Sequence, residues 1–478
     1  MTIGSTRKDT KNDGRALGPA PPCELATRSA HGKAGHIYKR RLPGDFEARD
    51  LLVENRGERV EPILPRSDTM PTREPLLRLR DVRRAPEESV RSFLDANASG
   101  TAVEFTNSGT AALYRGAVSH FGPDASGTIL LPAYICDVAV PPFRRAGLDI
   151  EFYRVSRETE IDLADFEAKL TDDAVAAMSV NFFGFPARGF GDLDRLCARE
   201  GLVHVEDNAH AVLSRDDGTL LGTRADRTPL DSRTDGTLLG TRTGFGIASL
   251  PKLLPVPDGG VLYMSPSNAT DPVPTPDAEP TAPVPDAEPT APVTNAEPPF
   301  TVRPPEVSDL DFLLRTAVKW ADLELFDGRA VRGVNERWGE PCGPSGFEVG
   351  GPSALTEVLL RRIDAAEVVR RRRRNYGALA DLFGRDPEVD PLYPGLPDGV
   401  CPQVFPVVAE DSVAFERRLR SANLPVYRWP RLPPEVRGNE AFPTANYLAE
   451  HVFTLPVHQA CDSEELTRKV QAVAARAI

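Results

Sequence analysis

The sequence predicts an α/β protein: a mostly parallel sheet flanked by helices, with a smaller C-terminal α+β domain. Two observations carry this. Between Val103 and Glu206, short apolar runs alternate with helix-length stretches, and strands joined by helices pair in parallel and are covered on both faces. From Gln403 onward the runs shorten into a mixed region that ends in a capped helix.

Residues 1–73 mix Gly, Pro, Arg and Asp without sustained periodicity and predict an irregular N-terminal extension. His31 and His36 lie there among basic residues, as in a solvated tail. The large domain is expected over 74–345. It opens with a helix near Pro86, whose first turn carries Glu87 and Glu88. Strands are expected at Val103–Thr106, Thr128–Pro132, Ile150–Tyr153, Val175–Val180 and Leu202–Glu206. The helices between them run from Asn107 to Val118, from Pro132 to Arg145, around Leu163–Leu170 and over Leu193–Glu200. Two more apolar runs, Phe245–Ala248 and Val261–Met264, flank a connection that holds Lys252 and closes on Gly259-Gly260.

Two insertions interrupt this pattern. Ser214–Arg224 recurs almost unchanged as Ser232–Arg242, which reads as a tandem-duplicated surface loop over 214–242. Pro276–Val284 repeats as Pro285–Val293 inside a Pro-, Ala-, Asp- and Glu-rich insertion, 266–300, whose composition predicts disorder. Beyond it, Ser308 and Asp311 open a helix to Phe326, and a second helical stretch runs from Ser353 to Phe383. The second stretch carries Arg370–Arg374. Five consecutive residues point around most of a helix, so most of these arginines are expected to be solvated or structurally paired. The small domain, 346–478, is expected to hold a strand at Gln403–Val408, a helix over Ser412–Ala422, extended segments at Leu424–Trp429 and Phe453–His458, and a final helix from Asp462 or Ser463.

Composition narrows the function. A net charge of −13 and a pI near 5.2 argue against wholesale nucleic-acid binding. No apolar run approaches the roughly 18 residues of a membrane span, and Met1–Lys8 lacks the apolar core of a secretory signal. A cytoplasmic protein without a membrane or nucleic-acid partner is expected. The six cysteines are scattered without metal or redox spacing, so reduced thiols and no metal are expected.

Three stretches can carry chemistry. Asn107–Ala111 joins a strand to a helix, where free amides can hold a phosphate, although an ordinary capped helix looks the same. Asp207, in Glu206–Ala211, ends a strand and could face a bound ring or cap the following helix. Lys252 becomes a nucleophile if its surroundings depress its pKa, and is otherwise a solvated loop lysine.

Their order, Ser-Gly-Thr-Ala-Ala-Leu at 108–113, Glu-Asp-Asn-Ala-His-Ala at 206–211, a lysine followed by Gly259-Gly260, and Leu-Pro-Val-His at 455–458, resembles the DegT/StrS-type sugar aminotransferases. These are fold-type I pyridoxal phosphate enzymes. The resemblance covers roughly Val103 to Val473 without the insertions. It implies that Lys252 is the catalytic, Schiff-base residue and that pyridoxal 5′-phosphate is the cofactor. Asp207 would pair with the ring nitrogen and His210 would lie near the 3-oxygen, while Gly109, Thr110, Ala111 and Ser249 would hold the phosphate. The expected substrates are a nucleotide-linked keto sugar and an amino-acid donor, the expected state a homodimer, and the expected setting glycan or secondary-metabolite assembly. The chain departs from the family pattern in two places. Ser249 precedes the lysine by three residues where the family commonly has five. Cys136 falls where many members stack an aromatic ring on the cofactor, with Tyr134 nearby. Other outcomes on this fold are a sugar dehydratase, whose relatives typically replace the lysine with histidine; cysteine desulfuration, for which Cys342 is the candidate; and a non-catalytic or regulatory cofactor-binding protein.

Overall fold

A computed structural model describes residues 85–98, 101–216, 219–221, 244–264 and 348–474, except 124, 423, 425 and 426, together with positions 75, 77, 82 and 313. The N-terminal extension, most of the duplicated loop, the insertion at 266–300, the helix expected from Leu310 and Cys342 lie outside the described residues.

The first described helix is α1 (Val90–Asn97), capped by Ser89, whose hydroxyl accepts the Ser92 N–H. The chain then alternates: β1 (Ala102–Thr106), α2 (Gly109–Phe121), β2 (Thr128–Pro132), α3 (Val140–Arg145), β3 (Asp149–Tyr153), α4 (Leu163–Ala168), β4 (Ala174–Val180), α5 (Phe190–Glu200) and β5 (Val203–Asn208). After a short hairpin, β6 (Arg215–Asp216) and β7 (Thr219–Leu220), come β8 (Gly244–Ser249) and β9 (Gly260–Met264). The expected strands are all present. The seven-stranded sheet has the order β1-β9-β8-β5-β4-β2-β3. Strands β3, β2, β4, β5 and β8 pair in parallel, while β9 runs antiparallel to both β8 and β1. Ile129–Leu131 and Ala176–Met178 are fully buried as unbroken runs, as parallel strands covered on both faces require.

Three elements differ from expectation. The helix after Pro132 is interrupted: a 3-10 turn, Asp137–Ala139, precedes α3. The single helix expected over Ser353–Phe383 is two, α6 (Ala354–Leu360), which ends at its C-cap, Arg361, and α7 (Ala365–Phe383), which Asp364 caps by accepting the Glu367 N–H. The first copy of the duplicated loop is anchored at its start, since Ser214 is buried and exchanges hydrogen bonds with the Cys401 backbone.

The C-terminal residues form a second, antiparallel sheet of β10 (Val389–Pro391), β11 (Val404–Ala409) and β12 (Val452–Pro456), in that order. It is accompanied by α8 (Ser412–Ser421), α9 (Pro443–His451) and α10 (Ser463–Ala474). Between α8 and α9, the described residues of the expected extended segment include an isolated bridge, Arg428 to Phe453.

Candidate active site

The strand order brings the three chemical stretches together. Thr106 and Ser249 both lie opposite Gly260, and Ala248 lies opposite Asn208. The carboxyl ends of β1, β8 and β5 are therefore adjacent, with β9 inserted between the first two. The glycine pair fits β9 into that gap. The Gly259 N–H donates to Asn107 O at 2.9 Å, in a left-handed conformation with φ of +119°. At Gly260 an added Cβ would lie 2.2 Å from Ser108 O, so only glycine leaves room for the loop leading into α2.

At the start of α2 the Ser108 hydroxyl accepts the Ala111 N–H at 3.1 Å, and Ser108 O accepts that of Ala112. The cap thus commits the amide of Ala111, which was expected to face the phosphate. The N–H groups of Gly109 and Thr110, which have no intrahelical partner, find no acceptor among the described residues. Ser249 stands beside them: a Cβ on Gly109 would meet its Cβ at 3.2 Å. β8 ends on Ser249, three residues before Lys252.

Lys252 closes a 3-10 turn, Leu250–Lys252, and is partly buried. Its charge acts on both Asp207 and Cys136. Asp207 is 7% exposed and, among the described residues, accepts one hydrogen bond, from Ala209 N–H at 2.8 Å. Burial pushes its carboxyl above the usual range, opposed by the Lys252 charge and the Ala209 N–H. Burial also raises the Cys136 thiol, again opposed by Lys252. Tyr134 does not take the place of the missing aromatic. It is fully buried, donates its hydroxyl to Trp429 O at 2.8 Å and meets the Trp429 ring edge-on at 5.2 Å. Cys136 is the residue that comes to Lys252.

His210 is buried against Phe183, stacked at 5.8 Å, and against the edge of Trp429 at 4.8 Å. Its Nδ1 accepts the Phe183 N–H at 3.2 Å, which puts the ring hydrogen on Nε2. Phe183 adopts a left-handed φ of +58°, a conformation costing about 1–2 kcal/mol for a residue with a Cβ.

Sequence reasoning missed two residues behind the lysine. Arg372 Nη2 and Gln459 Nε2 both donate to Leu253 O, at 2.7 and 3.1 Å. A signal for Arg372 was present: Val368, Arg372, Tyr376, Leu379 and Phe383 share one buried helical face. Gln459 directly follows the Leu-Pro-Val-His stretch. The other described arginines of the run have structural or solvent roles. Arg370 and Arg371 pair with Glu367, Arg373 donates to Pro397 O and Val400 O, and Arg374 is exposed. Elsewhere Asp194, His204 and Ser179 form a hydrogen-bonded line of the hydrolase type, but Ser179 is wholly buried in β4 and out of reach of any substrate.

The site fits pyridoxal phosphate on its own chemistry. A buried carboxylate with one internal hydrogen bond is suited to a protonated ring nitrogen, which offsets its desolvation. Two helix-start amides and a serine hydroxyl suit a phosphate. A lysine whose charge reaches that carboxylate completes the set.

A family model described as the DegT/DnrJ/EryC1/StrS aminotransferase family matches residues 84–230. No curated protein matches the chain by sequence. Solved structures share the fold. DesV of S. venezuelae, solved with a ketimine intermediate, is 16% identical at a TM-score of 0.53, covering 81% of this chain and 89% of its own. The sugar aminotransferase CalS13 from Micromonospora echinospora is 18% identical at 0.53, covering 84% and 99%. Helicobacter pylori PseC, an aminotransferase involved in pseudoaminic acid biosynthesis, is 14% identical at 0.54, covering 85% and 98%. Residues 84–230 thus resemble the DegT/DnrJ/EryC1/StrS aminotransferase family, and about four fifths of the chain shares the fold of these solved structures.

Proposed function

We propose that the protein exchanges the amino group of glutamate for the carbonyl oxygen of a nucleotide-linked keto sugar, giving 2-oxoglutarate and an amino sugar for glycan or secondary-metabolite assembly. The observation that carries this is the convergence of Lys252, Asp207 and the start of α2 on adjacent strand ends. The sugar follows from similarity to CalS13, a sugar aminotransferase.

When bound, pyridoxal phosphate supplies the electron sink that lets an amino acid lose its α-proton. The chain's residues do the rest. Lys252 Nζ would hold the cofactor and, once free of it, would be the base that moves the proton at the reacting carbon. Asp207 keeps a proton on the ring nitrogen. His210, with its hydrogen fixed on Nε2 by the Phe183 N–H, donates toward the 3-oxygen. The Gly109 and Thr110 amides and the Ser249 hydroxyl bind the phosphate, with Ala111 supporting them through the cap. Retention of lysine favours transfer over the dehydratase reaction.

The working unit in this reading is a cytoplasmic homodimer, for which sedimentation at twice the 52.0 kDa chain mass is the check. Adding glutamate to the cofactor-loaded protein tests the chemistry. We expect conversion of the cofactor to its amine form with one 2-oxoglutarate released per site, reversed by a keto sugar nucleotide. An unchanged spectrum, with no 2-oxo acid formed from glutamate or any other amino acid supplied, supports the regulatory reading instead.

A further inference from the structure

Arg372 is wholly buried, and among the described residues no carboxylate pairs with it. Burial draws its pKa down to about 10, so it stays charged at neutral pH. A buried cation without a counter-charge is costly unless its hydrogens are all well placed. Here all three of its nitrogens donate, in four hydrogen bonds, to oxygens of three separate segments. Nη2 donates to Leu253 O at 2.7 Å, Nη1 to Gln403 O at 2.8 Å and Pro402 O at 3.1 Å, and Nε to Gln459 Oε1 at 3.0 Å. Gln459 closes the ring by donating its own Nε2 to Leu253 O at 3.1 Å.

The line continues beyond the guanidinium. The Gln403 N–H donates to Phe183 O at 2.8 Å, and the Phe183 N–H donates to His210 Nδ1 at 3.2 Å. Hydrogen bonds, joined through the Gln403 and Phe183 backbone, therefore run from the residue after Lys252, through a single planar cation, to His210. The planar fork explains the choice of arginine, since a lysine ammonium cannot present donors to three segments in fixed directions.

We propose that Arg372 and Gln459 are positioning residues: they fix the Leu253 carbonyl, and so the turn that aims Lys252, and through Gln403 and Phe183 they hold His210 in the same frame. This rests on the reading of Lys252 as the residue that binds the cofactor. A merely structural role, tying α7 to the large sheet, would show only in stability.

The test uses full-length protein loaded with pyridoxal phosphate: wild type, Gln459→Met, Arg372→Lys, and Arg374→Ala as a control in the exposed part of the same run. Each is measured by cofactor absorbance, visible circular dichroism per bound cofactor, melting temperature and steady-state kinetics. We expect Arg374→Ala to match wild type. Gln459→Met should keep its fold and bound cofactor but lose roughly half or more of the dichroism, with kcat down roughly tenfold to a hundredfold and KM little changed. Arg372→Lys, which keeps the charge without the fork, should fall in the same direction. If both variants melt lower yet keep wild-type dichroism and kcat, the proposal is overturned. Should Arg372→Lys not fold, Gln459→Met decides alone. A wild-type chain that takes up no cofactor overturns the reading of Lys252, and this proposal with it.

Discussion

At the scale of single residues, the site depends on a carboxylate kept where it is poorly solvated. The folded pKa of Asp207 is raised above its unfolded value, chiefly by burial. Its contribution to stability is therefore fully present below the unfolded pKa and is lost as pH rises through the folded one. In the cofactor-free protein, Asp207→Asn keeps an acceptor for the Ala209 N–H and removes the buried charge. We expect it to melt above wild type at neutral pH, with the gap closing as the solution is acidified and Asp207 takes up its proton. The same variant should lower kcat on the order of 100-fold or more, since charge placed for the reaction is lost. A variant less stable at neutral pH with unchanged kcat would contradict both assignments. Asp207 and Lys252 could be placed near strand ends from the sequence because each follows an apolar run, and the structure puts Asp207 in β5 and Lys252 just after β8. Arg372 was not legible, because a run of five arginines conceals which one faces the core; only its spacing from Val368 and Tyr376 distinguishes it. The commitment of the Ala111 amide to Ser108 was equally hidden, since a cap and a phosphate loop share one sequence pattern.

At the scale of elements, the Gly259-Gly260 pair is what seats β9 against the loop before α2. Gly260→Ala would force a Cβ to 2.2 Å from Ser108 O, a backbone atom that moves only with the loop. Overpacking of this kind costs about 1–3 kcal/mol. We expect a lower denaturation midpoint with an unchanged slope, together with weaker cofactor binding, because displacing Ser108 shifts the amides of Gly109 and Thr110. Equal stability and equal cofactor affinity in the two proteins would show that the pair has no such function. Strands β1 to β5 were legible from apolar runs bounded by turn residues, and parallel burial made those runs continuous. The split between α6 and α7 was not, because Ile363 and Ala365 prolong the apolar pattern across the break and both are buried. The decisive residue there is Asp364, whose cap restarts the helix.

At the scale of the whole molecule, function rests on long-range pairing that the order of elements along the chain does not reveal. β9 follows β8 in sequence but also pairs with β1, and this one placement carries the start of α2 to the lysine turn. The C-terminal residues reach the same point from the other end, with Gln459 donating to Leu253 O. Motif order suggested this convergence through family resemblance, while composition and periodicity alone gave only a parallel sheet. No helix among the described residues is long and apolar enough to cross a membrane. The most direct test of the account is to load the protein with pyridoxal phosphate, reduce the carbon–nitrogen link with borohydride, digest it and locate the modified residue by mass spectrometry. The account predicts one cofactor per chain, on Lys252. A reduced cofactor on another lysine, or none on a fully loaded protein, would contradict it.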